Sequence, residues 1–565
     1  MTTVSQISSR YIDDVAQLDP VRGERWGVAS DPTRLTDYSP AGVGALRDLL
    51  GRTLGDLATA DPPRDEAERL GAGFLADQLA GEVGVVDIGE RQRGLSIITG
   101  PPANTRSVFD LMDHATPEAW ATIAARLRAV PAAMDGYRAT LEVGLAEGRP
   151  AARRQAIAVA EQCATWAGDG DGGWFGGFVS GAPAVGVDER LQVELEAAAQ
   201  DAGNAYGRLA MWLRDGYAPH ATEVDASGDE RYQAWARLLL GTDLDLDEAY
   251  AWGWQELARL EAEKAKECAW ILPGASFLEV RELLITDPQR SIDGVEAYRD
   301  WLQATTDEAI EGLDGRQFEI DPLIRRCDVR IPPEGSAAAA YYTPPSEDLS
   351  RPGQTWFPTM GRTRFPTWDD VSTVYHEAVP GHHLQGATIR LVPLTRAHKL
   401  GFISAHGEGW ALYAERLMDE LGWFKTPDTR LGFLCAHAFR AARVVVDIGL
   451  HTGRAIPAAG ATVYPGWSGQ AGQPWTYEGA IDFMIRAGGL ERASAESEVL
   501  RYLSWPSQAT AYSLGERTWL AGRAAATAAA EADGRDFDLK TWHARALSLG
   551  PLGLKRLGDE LARVS

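Results

Sequence analysis

From Ser8 to about Ile320, apolar residues recur at three- and four-residue intervals punctuated by Pro and Gly, which commits most of this chain to amphipathic helices. Residues 116–148, 191–217 and 246–272 carry the pattern most plainly, each bounded by a capping or breaking residue. Around Cys327 the period falls to two, in CDVRI, AAAAYYT and TWFPTM, with the turn-forming PPEGS and PPSEDLSRPGQ between them. These runs predict a small β-element. Helical spacing resumes at Trp368 and continues to the C-terminus, apart from a loop over 456–475. No internal repeat and no linker-like segment interrupts the chain. The expectation is one mainly α unit, with 1–325 its helical N-terminal portion and 326–565 holding the β-element and the segment that carries chemistry.

The seven glycines of 167–183 invite comparison with a phosphate loop. The comparison fails, because neither a GK[ST] ending nor a preceding apolar strand is present, and the segment reads as a flexible surface loop. Nucleic acid is excluded on charge: 80 acidic against 55 basic side chains leave −25, and no basic stripe stands out against that field. The four cysteines lie far apart with no CxxC pair, which points to a reducing compartment. Charged residues scattered through the first thirty positions disfavour a signal core, and no later run has 18 uninterrupted apolar residues. A cytoplasmic protein with no membrane partner is expected.

Three of the ten histidines fall within eight residues in PTWDDVSTVYHEAVPGHHLQGATIR: His376, His382 and His383, with Glu377 directly after the first. Thr367 is the expected N-cap, and Asp369 and Asp370 suit a first helical turn. In HExxH zinc peptidases two imidazoles four residues apart share a helix face, and the Glu serves as general base. Here position i+4 is Pro380. Pro380 lacks the N–H that would bond to the carbonyl of His376, and Gly381 tolerates unusual dihedrals, so a two-residue bulge is expected to return His382 to the face of His376. A three-residue insertion would bring His383 there instead. His382 is the favoured ligand, and His383 is left to donate to substrate or to a supporting carboxylate.

A third ligand comes from ISAHGEGWALYAERL, where Glu408 opens the next helix 32 residues after His376. Glu415, two turns further along the same face, is the alternative, otherwise a solvated or ion-paired carboxylate; His406 should face elsewhere. In FRAARVVVDIGLH, Arg443, Asp447 and His451 form a polar line on an apolar helix, following Arg440. It reads as support for the ligand imidazoles, with His451 reaching substrate. Arg501, Tyr502, Gln508 and Tyr512 follow in ESEVLRYLSWPSQATAYSLGERTWL; Tyr512 is assigned to oxyanion stabilisation, and Arg501 to a substrate carboxylate. Tyr342, on the β-element, is assigned to substrate contact.

HEAVPGHH resembles the HExxxGHH signature of the bacterial family catalogued as domain of unknown function 885. YIDDVAQLDPVRGERWG, AYYTPP, EGWALYAE, RVVVDIGLH and RYLSWPSQATAYSLG resemble its other blocks in order. That family is similar in fold to the carboxypeptidase Taq group of helical metallopeptidases. The resemblance implies a two-lobed, zincin-like helical fold with zinc at the floor of a groove, held by His376, His382 or His383, and Glu408 beside Glu377. The expectation is a zinc peptidase acting on short extended peptides, other divalent metals being possible. Its rivals are a hydrolase of a non-peptide amide metabolite and a non-catalytic peptide- or metal-binding protein. Retention of Glu377 weighs against the last, because a binder has no use for a general base.

Overall fold

A computed structural model of the chain describes residues 2–168, 172–332, 339–346, 349–464 and 466–564. It is mainly helical and divides into two compact units. The first comprises Met1–Ala234 with Thr395–Leu400 and Leu500–Pro506; the second comprises Trp235–Leu394, Gly401–Val499 and Ser507–Ser565.

The first unit is built on α1 (Pro117–Ala146), α2 (Arg153–Ala167) and α3 (Glu189–Trp212). The Thr116 side chain caps α1 by accepting from the N–H of Ala119, and Pro117 follows at the first helical position, where a missing N–H costs nothing. Ile123, Leu127, Val130, Met134, Tyr137 and Leu141 alternate at four and three residues and are buried, as the periodicity predicts. Ala198, Ala199, Ala202 and Ala205 of α3 line the same core, their small side chains letting helices approach closely. The predicted loop over 167–183 is corrected: Gly173–Val179 is a short helix with Phe175 and Val179 buried, while residues 169–171 lie outside the described residues. Phe109, Trp120, Trp174, Phe175 and Phe178 pack ring against ring there, mostly edge-on or tilted with Trp174 stacked on Phe178, and that burial outweighs the poor helix propensity of glycine.

In the second unit, α4 (Leu246–Ile271) is followed by the short strand β1 (Ser291–Asp293), then by α5 (Val295–Leu313) and by four more short strands: β2 (Cys327–Arg330), β3 (Tyr341–Thr343), β4 (Gly353–Trp356) and β5 (Arg364–Pro366). The predicted runs become β2, β3 and β4, in the order β2-β4-β3 with β2 parallel and β3 antiparallel to β4. Residues 333–338 of the PPEGS turn and the AAAAYYT run, and Glu347 and Asp348, lie outside the described residues. β1 and β5, unforeseen in the sequence, pair antiparallel.

β5 leads into α6 (Asp370–Glu377), α7 (His382–Leu391), α8 (Ser404–Glu420), α9 (Pro427–Thr452) and α10 (Ala511–Ala532). The expected cap is corrected: Asp369 holds the N-cap position of α6, while Thr367 still belongs to the strand approach and donates from both N and Oγ1 to the Arg290 carbonyl. A glycine contact sets α8 against α10. A Cβ on Gly515 would lie 2.1 Å from the Ala405 carbonyl oxygen, and one on Gly409 would lie 2.4 Å from the Gly515 backbone. Both positions therefore require glycine, and Gly409 is one residue beyond Glu408. Among the described residues, no helix is long and apolar enough to cross a membrane.

Candidate metal centre

α6 ends at Glu377 and α7 begins at His382, so Ala378, Val379, Pro380 and Gly381 form a complete break between two helices where a bulge within one was expected. The break is pinned from α8: the Trp410 indole N–H donates to the carbonyls of Pro380 at 2.8 Å and Gly381 at 3.2 Å. A Cβ at Gly381 would lie 1.9 Å from the His376 carbonyl oxygen, so only glycine fits. The consequence is local and decisive. His382 returns to His376, their ring centroids 4.8 Å apart and nearly perpendicular.

Glu408, in the first turns of α8, completes the group. Its Oε2 lies 3.5 Å from His376 Nε2 and 3.5 Å from His382 Nε2, and the three ligand atoms lie within 4.8 Å of one another. A tetrahedral ion with bonds of about 2.1 Å holds its ligand atoms about 3.4 Å apart, so the donors fit zinc in both kind and spacing. Two imidazoles and one carboxylate leave a coordination position open, as in catalytic zinc sites. Residues 376, 382 and 408 are mostly buried, which dries the site and strengthens every interaction within it.

The other nitrogen of His376 is also fixed. Nδ1–H donates to Glu415 Oε1 at 2.7 Å, leaving Nε2 toward Glu408. Glu415 is fully buried and also accepts from Ser372 Oγ; of the two expectations for it, solvated or ion-paired, the structure matches the ion-paired one, with His376 and Arg440 as its partners. One helix thus supplies both Glu408 and, two turns on, the carboxylate that selects the tautomer of the imidazole Glu408 meets. Burial works against charge at both glutamates, yet the surroundings reverse it. Arg440 and the His376 hydrogen bond hold Glu415 down to about 2, and hydrogen bonds from His376 and His382 hold Glu408 well below the usual carboxylate range. His376 shows the reciprocal effect. Burial lowers it, but Glu408 and Glu415 together push it up to about 9.

His383 is turned away. Consecutive helical residues point about 100° apart, and its Nε2–H donates to the Ile324 carbonyl at 2.8 Å while Nδ1 accepts from the Tyr342 hydroxyl at 3.2 Å. Both nitrogens are engaged, and burial pushes its pKa down to about 4, so the expected donation to substrate or carboxylate is corrected: His383 is a neutral tether between α7 and β3. Tyr342, expected at substrate, uses its hydroxyl in that tether. Glu377 closes α6, and its charge adds to the burial and the Asp328 charge that push the Cys327 thiol of β2 up.

His451 pairs at 3.8 Å with Asp447, whose other oxygen accepts from the Ser507 N–H. Arg443 meets Glu498 at 2.9 Å and covers the Tyr512 ring, so the expected polar line on α9 splits between different partners. Tyr512 also lies 5.8 Å from the Arg440 guanidinium, which reaches Glu415 at 3.9 Å. Gln508 donates to Ser404, one turn before Glu408. His406 faces Gln385 and the Trp519 ring, away from Glu408 as its position predicts. Arg501 and Tyr502 belong to the first unit, the guanidinium 5.6 Å from the tyrosine ring.

Fold and donor set together define the class: a mainly helical protein with a His–His–Glu group assembled across a broken helix. The chain belongs to the family described as "Bacterial protein of unknown function (DUF885)", whose profile matches residues 20–561. A search of curated proteins finds no match. Among solved structures it is similar to "the putative lipoprotein from Colwellia psychrerythraea", at 21% identity and TM-score 0.82, covering 100% of this chain and 99% of that one. It is also similar to "a putative lipoprotein of unknown function from Shewanella oneidensis", at 18% identity and TM-score 0.73, covering 99% of this chain and 100% of that one. At such identity the likeness establishes fold alone.

Proposed function

We propose that the chain is a zinc-dependent peptidase of zincin-like, two-lobed architecture that hydrolyses short, extended peptides. The observation that carries the reading is the convergence of His376 Nε2, His382 Nε2 and Glu408 Oε2 within 4.8 Å, with His376 Nδ1 anchored on Glu415. These residues would hold the metal. The chemistry that zinc supplies when bound is Lewis acidity toward a carbonyl and a lowered pKa for water.

Glu377 then takes a proton from the attacking water on its carboxylate and delivers it to the leaving amine. It follows His376 directly at the end of α6 and is not among the converging ligand atoms. β3 is an edge of its sheet and is tied to α7 through Tyr342 and His383, which supports pairing of a substrate backbone along it. Tyr512, stacked against Arg440 and Arg443, is the proposed oxyanion donor, and His451 is proposed to meet substrate.

A cytoplasmic setting is part of the proposal, resting on four cysteines that are buried and free. Both structural neighbours carry a lipoprotein description, and cell fractionation separates the two settings. The activity test is a screen of short peptides against acyl-amino acids with zinc-loaded wild type and Glu377→Gln. Cleavage of peptides by wild type alone supports the reading. Cleavage confined to acyl-amino acids moves it to a metabolite amidohydrolase, and metal binding without turnover of either set moves it to a binding protein.

A further inference from the structure

The buried polar chain does not stop at Glu415. His437, on α9 and 1% exposed, places Nε2 3.7 Å from Glu415 Oε2 and Nδ1 3.6 Å from Glu516 Oε2. Its ring packs on Phe433 at 4.3 Å between centroids, which fixes its plane. Glu516, on α10, is buried in turn and accepts from Arg416 Nε, and Arg416 Nη2 reaches Glu256 of α4 at 3.2 Å. The sequence His376–Glu415–His437–Glu516–Arg416–Glu256 therefore alternates in potential charge and ties α6 to α8, α9, α10 and α4.

Two buried carboxylates are costly unless each is paired, and here each already has an arginine: Arg440 for Glu415, Arg416 for Glu516. Charge balance alone does not call for His437. Its distinct contribution is geometric. Glu415 Oε1 accepts from His376 and Oε2 from Ser372, while His437 Nε2 stands 3.7 Å from Oε2. An imidazole presents polar atoms on opposite edges of a flat ring, so His437 can hold one carboxylate against another and stop Glu415 from rotating. The orientation of His376 depends on that carboxylate.

We propose that His437 is a positioning residue for the metal centre: by bridging Glu415 to Glu516 it fixes the carboxylate that orients His376. α9 and α10 thereby set metal affinity although neither supplies a ligand. This rests on the zinc reading above.

The test is zinc affinity, by competition with a chromophoric chelator, and the absorption spectrum of the cobalt(II) form, in His437→Phe, His437→Gln and Glu516→Gln. Loss of a partner behind a ligand weakens metal binding by about 10- to 100-fold. His437→Phe keeps ring and packing and should fall in that range with an altered cobalt spectrum. Glu516→Gln should weaken zinc about tenfold, and His437→Gln, which retains polar reach, should recover part of the loss. Wild-type affinity and spectrum in His437→Phe overturn the proposal; if that variant does not fold, the same result in Glu516→Gln overturns it. Failure of wild type itself to bind zinc overturns the metal centre and this inference with it, and so is told apart from failure of the inference alone.

Discussion

His376 is held at both ring nitrogens by one helix, and its two neighbours on α8 have different jobs. Glu408 faces Nε2 and is placed to share a metal with it; Glu415 faces Nδ1 and orients the ring. Glu408→Ala should therefore lower zinc affinity by removing a ligand. Glu415→Ala should both weaken zinc about 10- to 100-fold and destabilise the fold by about 3–5 kcal/mol, because Arg440 is left facing an unpaired buried site. Zinc titration and urea unfolding of the two variants distinguish these patterns. If the proposed function holds, Glu377→Gln removes the proposed proton acceptor and no ligand, so it should keep metal at the wild-type level while the hydrolytic rate falls by several orders of magnitude. Loss of metal in Glu377→Gln would reassign that residue as structural. The ligand residues were legible in the sequence because chemistry restricts them to a few types in a recognisable order. Glu415, His437 and Glu516 were harder to read, since their roles depend on which helices pack together, and nothing in the local pattern records that.

At the level of elements, the α6–α7 break is what turns an HExxxGHH sequence into a site. Pro380 announced that the helix could not run straight; that it stops altogether is due to Trp410, which is in a helix thirty residues away and supplies the N–H that the freed carbonyls need. Gly381→Ala must move the His376 carbonyl, a change that overpacking places at about 1–3 kcal/mol of stability. It should also cost zinc affinity, since the same displacement separates His376 from His382; calorimetry with and without zinc measures both effects. The helices and the β2, β3 and β4 runs were readable because period and burial agree along their lengths. β1 and β5 escaped notice because three-residue strands carry too little alternation to register, and the Gly173–Val179 helix because its aromatics override its glycines.

The second unit also carries a pH signature. His543 is fully buried, stacks on Phe318 and meets Tyr413 and the Gln317 carbonyl; burial pushes its pKa down to about 3. With a folded pKa below the unfolded one of about 6.5, its contribution is fully present above pH 6.5 and is lost as pH falls toward 3, because the unfolded chain takes the proton first. His383, pushed down to about 4, acts in the same direction. Thermal unfolding followed between pH 7 and 5 should show Tm falling with pH, and the slope should be shallower in His543→Asn; an unchanged slope would exclude His543 as a source.

For the whole molecule, the family match spans residues 20–561, so the readable motifs sit in a chain that shares its fold from end to end with its relatives. The division into units was less legible, since Leu500–Pro506 belongs with residues far earlier in the chain and no composition change marks the exchange. All three proposed ligands lie in the second unit. Zinc at a hundred times its Kd should stabilise the protein by about 2.7 kcal/mol, raising Tm in wild type and not in Glu408→Ala.

The most direct measurement is the metal content of chelator-free protein after zinc loading and dialysis, for wild type, His382→Ala and His383→Ala. The account predicts about one equivalent of zinc in wild type and His383→Ala, and less than about a tenth in His382→Ala. Less than about a tenth of an equivalent in wild type, or loss of zinc from His383→Ala with retention in His382→Ala, would contradict it.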